Sequence, residues 1–173
     1  MNLKIETERL YLRLINQDDD KNFFELDSNP KVHAFLGNNP VTFIEQSRGY
    51  IKSVLEQYKA YGIGRLAIIK KGTEEFVGWS GLKLERNVRA FDSYDLGYRL
   101  KEEFWGHGYA TEAARASLDY GFKDLRLKEI CAAAHSEHRA SNKILKNIGL
   151  KPAGTFSYEN IHCNWYTLKN PML

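Results

Sequence analysis

Leu10, Leu12 and Leu14 alternate with Tyr11 and Arg13, and this period of two predicts a strand over Arg9–Ile15. Asp18, Asp19 and Asp20 follow, carboxylates suited to a helix start, so a short helix through Phe23, Phe24 and Leu26 is expected before Pro30 interrupts. Thr42-Phe-Ile-Glu45 has capping-box spacing and opens a helix to about Tyr61, where Gly62 and Gly64 stop it. Arg65–Lys70 and Phe76–Glu85, joined by Lys71-Gly72-Thr73-Glu74, read as a hairpin. A strand over Tyr94–Leu100 comes next. Ala110, Ala113, Ala114, Ser117, Leu118, Gly121 and Phe122 then fall at helical spacing. Glu129–Ala134 reads as a short strand. Ala140, Ile144, Leu145 and Ile148 mark a helix closed by Gly149, and Lys151–Tyr158 with His162–Leu168 form a last hairpin. The order β-α-α-β-β-β-α-β-α-β-β describes an α/β chain with a sheet of mixed direction rather than a doubly wound parallel one.

Composition narrows the class. A length of 173 residues without repeats or a Pro/Gly/Ser linker fits one domain over 1–173. Hydrophobic residues at 43% and charged residues at 27% exclude a disordered or collagen-like chain. A net charge of +3, interspersed along the chain, is too weak for a nucleic-acid partner but suits a small phosphate-bearing ligand. No apolar run reaches the ~20 residues a membrane span needs, and MNLKIETERLYLRL alternates charged and apolar residues where a signal peptide would carry an apolar core. With only Cys131 and Cys163 and no Asn-x-Ser/Thr acceptor, the expectation is a reduced, cytoplasmic protein that avoids membranes.

The most informative segment is Tyr94-Asp-Leu-Gly-Tyr-Arg-Leu-Lys-Glu-Glu-Phe-Trp-Gly-His-Gly-Tyr-Ala-Thr-Glu-Ala113. A strand runs into a loop with Gly106 and Gly108, and the loop feeds an alanine-rich helix. Small residues let backbone approach a ligand, and a helix N-terminus supplies free N–H groups and partial positive charge, which together suit a phosphate or pyrophosphate. Thr111 stands where a dinucleotide fingerprint needs its third glycine, and the Gly-Lys-Ser/Thr of a P-loop is absent, so both nucleotide motifs are set aside.

The opening ETERLYLRL, the central GYRLKEEFWGHGYATEA and the later SEHRASNKILKNIGLKPAG resemble the GCN5-related N-acetyltransferases (GNAT), in the RimJ/RimL-like branch that acetylates ribosomal-protein N-termini. The resemblance covers nearly the whole chain and implies the GNAT fold, a single mixed central sheet of six to seven strands flanked by about four helices. Two departures stand out. Trp105 occupies the Gln/Arg position of the phosphate loop Gln/Arg-x-x-Gly-x-Gly/Ala, and His138 replaces the first Asn of Asn-x-x-Ser-Asn-x-x-Leu-x-x-x-Gly, which continues with Ser141, Asn142, Leu145 and Gly149.

The resemblance implies direct transfer of acetyl from acetyl-CoA, the co-substrate, to a primary amine with no metal and no covalent enzyme intermediate. The acceptor would be a protein N-terminus or, alternatively, a small-molecule amine; a non-catalytic acyl-CoA sensor is the reading from another class. The pyrophosphate would sit on Gly106, His107, Gly108, Tyr109, Ala110 and Thr111 beside Trp105. The pantetheine arm would pair with the backbone at Tyr98 to Leu100, with Asn142 and His138 reaching it from the next helix. Ser141 aligns with the branch serine that protonates the departing thiolate; capping of its helix is the plainer role. Glu159 is the expected general base, with His162 and Glu85 as further candidates, and a backbone N–H of Tyr94–Leu100 would serve the oxyanion.

Several residues have bland readings. Trp79, Trp105 and Trp165 read as packing residues, and Arg139, Lys143 and Lys146 as a solvated basic face rather than a contact for the CoA 3′-phosphate. Cys131, His135 and His138 lack a fourth ligand nearby, so no zinc is expected. Glu112 suits a first helical turn in its own right. Phe35, Leu36, Phe43 and Tyr58 are expected to shape the acceptor pocket, and the chain to be a monomer or homodimer.

Overall fold

The computed structural model describes residues 2–86 and 88–173. One mixed sheet is built from β1 (Lys4–Glu6), β2 (Leu10–Leu14), β3 (Arg65–Lys70), β4 (Phe76–Glu85), β5 (Ser93–Leu100), β6 (Glu129–His135), β7 (Lys151–Tyr158) and β8 (Ile161–Lys169). The spatial order is β1-β2-β3-β4-β5-β6-β8-β7. Four helices flank it: α1 (Asp20–Asp27), α2 (Ile44–Tyr61), α3 (Tyr109–Lys123) and α4 (Arg139–Asn147). The eight strands exceed the expected six or seven because the charged and apolar alternation of Leu3 to Glu6 is itself a strand, with Ile5 paired to Leu12.

The faces follow the alternation. Phe23, Leu26, Ile51 and Val54 of α1 and α2 pack on Ala67 and Trp79, which oppose each other on β3 and β4. On the other side Ala114, Leu118, Phe122 and Leu145 of α3 and α4 pack on Leu82, Leu96, Ile130 and Tyr166. Gly121 brings α3 down onto the sheet, since a Cβ there would lie 2.6 Å from both Leu82 and Ile130. The cap of α2 differs from the sequence reading: Gln46, not Glu45, reaches back, its Oε1 accepting from the Thr42 N–H at 2.7 Å and the Phe43 N–H at 3.2 Å. A Gln amide oxygen does this as well as a carboxylate.

Every neighbouring strand pair is antiparallel except β5 and β6, which run parallel and are in register at one position, Asp95 opposite Cys131. Past that point, toward Leu100 and His135, the two strands are no longer paired in register. The loops into α3 and α4 leave from these ends, so both helix N-termini lie at one mouth of the sheet.

Candidate functional site

At that mouth, residues 105–108 are exposed and the backbone at Gly106 and Gly108 is left-handed, φ 75° and 81°. The amides of Gly106, His107 and Gly108 meet no backbone acceptor among the described residues, and the first amides of α3 have none within the helix. A Cβ at Gly106 would meet open space, whereas one at Gly108 would lie 3.3 Å from the Arg9 guanidinium. Arg9 holds the loop: its NH1 donates to the His107 carbonyl at 2.8 Å, and it lies 4.6 Å over the Tyr109 ring. Glu112 completes the clamp, accepting from Thr7 Oγ1 at 2.6 Å and from the Arg9 backbone and Nε at 2.8 Å each. Burial opposes the charge of Glu112, yet these donors together keep its carboxyl below the usual range. A cradle of open amides with its carbonyl pulled aside fits a pyrophosphate. Trp105 does not pack beneath the loop as expected: it is 44% exposed, with its indole N–H donating to the Leu100 carbonyl at 2.9 Å. Trp79 and Trp165 are buried.

Across the gap between β5 and β6, the Tyr98 hydroxyl meets Ser141 of α4, 2.9 Å from Oγ and 3.2 Å from the carbonyl. Ser141 is therefore not a helix cap. His138 occupies the N-cap position, and no side chain caps α4. Burial pushes the Tyr98 phenol up to about 12. Asn142 is fully engaged: Nδ2 donates to the carbonyls of His135 and His138 at 2.9 and 2.8 Å, and Oδ1 accepts from Asn164 and Tyr166 at 2.8 and 2.6 Å. With two donors and two acceptors satisfied, the Asn142 side chain acts as a rivet between α4, β8 and the turn after β6.

His135 ends β6, and His138 lies in the turn that follows. Phe35 stacks on His138 at 4.3 Å and tilts against His135 at 5.3 Å. Burial and then the neighbouring His135 lower the His138 pKa from its ordinary value. Of the four residues expected to shape an acceptor pocket, Phe35 alone reaches this cluster; Tyr58 packs in the core and accepts from the Ile15 N–H at 3.1 Å. Glu159 and Asn160 form the two-residue turn of the last hairpin, φ 48° and 64°, with Glu159 exposed. His162 is exposed, and Glu85 sits 2.5 Å from Lys83. Among the described residues no three His, Cys, Asp or Glu side chains gather as a metal site would require.

A polar network that no motif announces lies on the opposite face. Asp27 accepts from Arg99 at 2.6 Å and faces His33 at 3.3 Å, while Arg65 pairs with Asp95 and, like Arg99, lies 5.2 Å from the Trp79 ring. His33 Nδ1 and Trp79 Nε1 are buried without a partner among the described residues. The thiol of Cys131 is buried and pushed up to about 11, and Cys163 is also raised by burial. Arg139, Lys143 and Lys146 are exposed and border a cavity of about 380 Å³.

Residues 9–151 match the acetyltransferase (GNAT) domain. An uncharacterized N-acetyltransferase, p20, of Bacillus licheniformis is 33% identical over 86% of this chain and 82% of its own length. The FsC-acetyl coenzyme A-N(2)-transacetylase of Aspergillus fumigatus is 28% identical over 88% of this chain and 66% of its own. The ribosomal L7/L12 alpha-N-protein acetyltransferase RimL, solved with coenzyme A, superposes with a TM-score of 0.79 at 17% identity, covering 96% of this chain and 98% of that one. The chain belongs to the GCN5-related N-acetyltransferase family, acyltransferases that move acetyl from acetyl-CoA to an amine.

Proposed function

We propose that this enzyme acetylates the N-terminal amine of a protein or peptide, using acetyl-CoA bound across the β5–β6 gap. One observation carries the reading: a parallel strand pair joined at a single register position opens directly beneath a loop of unpartnered amides. In this reading Gly106 to Thr111 take the pyrophosphate, helped by Trp105 at the rim. The free edge of β5 at Tyr98 to Leu100 takes the arm as an added strand. His138 flanks the arm where the family pattern has Asn, and Asn142 supports it indirectly, by fixing the His135–His138 turn. Ser141 faces the sulfur.

The acceptor enters beside Phe35. Leu36, next to it, and Tyr158, at the hairpin turn, are exposed apolar residues, and a Cβ on Gly37 would lie 3.5 Å from Ile161, so the loop and the hairpin tip share one rim. An apolar rim suits a peptide better than a polycation. Glu159 stands on this rim and serves as the proton acceptor directly or through water. We further assign the enzyme to the cytoplasm.

Free-CoA release, read with a thiol reagent, tests the proposal against peptides with free N-termini, polyamines and aminoglycosides. Release with peptides and not with their N-acetylated forms is expected. Release with polyamines or aminoglycosides alone overturns the acceptor class. Silence with every acceptor, despite tight CoA binding, makes the chain an acyl-CoA sensor.

A further inference from the structure

We propose that Tyr98 is a positioning residue that aims the Ser141 hydroxyl at the sulfur of CoA. The inference rests on Ser141 facing that sulfur, as proposed above, and goes beyond it by assigning what orients the serine.

A serine hydroxyl has one proton and two acceptor lone pairs, and it rotates to whichever partner suits it. At the start of α4, Ser141 Oγ has the Tyr98 oxygen 2.9 Å away. If Ser141 spent its proton on Tyr98, nothing would remain for a ligand. The phenol stays protonated throughout the physiological range because burial raises its pKa to about 12. Among the described residues the acceptors within reach of its proton both belong to Ser141, the Oγ at 2.9 Å and the carbonyl at 3.2 Å. With the phenol donating to Oγ, the serine proton is released toward the β5–β6 gap. Tyr98 lies on β5 and Ser141 on α4, so the pair bridges the two sides of the gap that receives the arm.

The chemistry needs such a donor at one moment. As the amine lone pair forms the C–N bond, the C–S bond breaks and its electron pair leaves on sulfur. A hydrogen bond from Ser141 holds that charge until the proton lost by the amine reaches sulfur through water, and the sum is an amide and a free thiol. A thioester sulfur is a weak acceptor and a thiolate a strong one, so the donor acts mainly on the departing state.

The test uses the full chain with CoA itself and needs no acceptor. The pKa of the bound CoA thiol is read from its thiolate absorbance in the ultraviolet against pH, with the CoA-free protein subtracted. Calorimetry checks that each variant still binds. The parent should hold the thiol below its ordinary value of about 8.5. Ser141→Ala should raise it by about one unit, a lost charge-assisted hydrogen bond. Tyr98→Phe, which keeps the ring, should raise it by roughly half of that.

The double variant decides. If Tyr98 works through the hydroxyl, Tyr98→Phe adds nothing in the Ser141→Ala background. A purely structural tie keeps its effect there, because the bond to the Ser141 carbonyl survives the loss of Oγ. An additive double variant therefore overturns the positioning role, as does an unshifted Tyr98→Phe beside a shifted Ser141→Ala. An unshifted Ser141→Ala overturns the serine itself, and failure of the parent to bind CoA overturns the site on which both rest.

Discussion

The two faces of the sheet meet different demands with different atoms. On the α3–α4 face the loop proposed for the pyrophosphate offers backbone: amides at Gly106, His107 and Gly108, with Arg9 on the His107 carbonyl. On the α1–α2 face the polar chemistry is carried by side chains, with Arg65 on Asp95 and on the Gly81 and Asp95 carbonyls, Arg99 on Asp27, and His33 beside them. Main-chain amides present the same donors whatever side chains surround them. Buried side-chain charges instead stand or fall as a set.

That contrast can be broken most forcefully at Asp27. It is 5% exposed and faces both Arg99 and His33, so Asp27→Ala leaves a guanidinium without its partner and should cost about 3 kcal/mol of stability. Urea unfolding measures this. CoA affinity of the folded fraction should not change, and a parallel loss would mean that the faces are coupled.

The converse experiment is Gly108→Val. A branched residue at φ 81° is strained, and its Cβ would press on Arg9 at 3.3 Å. CoA affinity should fall by about 100-fold by calorimetry, from roughly 2–3 kcal/mol of strain and lost amide contacts. A variant binding like the parent would move the phosphate elsewhere.

A gentler probe is pH. Burial, then the nearby Arg99, lower the His33 pKa below its ordinary 6.5, against the pull of Asp27. The folded protein thus resists a proton that the unfolded chain accepts near 6.5. Stability is whole above that value and drains away as pH falls through 6.5 toward the folded pKa. His33→Gln should flatten this slope in melting curves between about pH 6.5 and 5, above the range where carboxylates titrate. An unchanged slope would remove His33 from the network.

The smallest effect belongs to the cysteines. With both thiols raised by burial, Cys131→Ala with Cys163→Ser should leave turnover within about twofold. A stable acetyl-thioester on either residue, seen by mass spectrometry, would contradict direct transfer.

The same contrast explains what could be read from the chain. Local signals wrote most of the fold: the leucine alternation of β2, the alanine face of α3 and the paired runs of β3 and β4 all lie where spacing puts them. The loop at Gly106 and Gly108 was legible because glycine before a helix has a direct backbone meaning. Three-residue β1 carried the same alternation as β2, but too briefly to count as an element. The network on the α1–α2 face depends on pairs 6 to 72 residues apart, such as His33 with Asp27 and Arg99 with Asp27, and no spacing announces them. Trp105 and Ser141 were misread in their plainer roles for a related reason. An exposed indole tied to Leu100, and a serine claimed by a tyrosine on another strand, are facts of tertiary placement.

The parallel junction at Asp95 and Cys131 makes the sheet behave like a book with a short spine. Its leaves are β1–β5 and the β6–β8–β7 group, and the arm proposed to lie between them as a further strand would act as a binding stitch as well as a substrate. Breathing of one leaf against the other would then be greatest in the empty enzyme and damped with each loading. Release of the spent thiol would be paced by the leaves reopening rather than by the making of the amide.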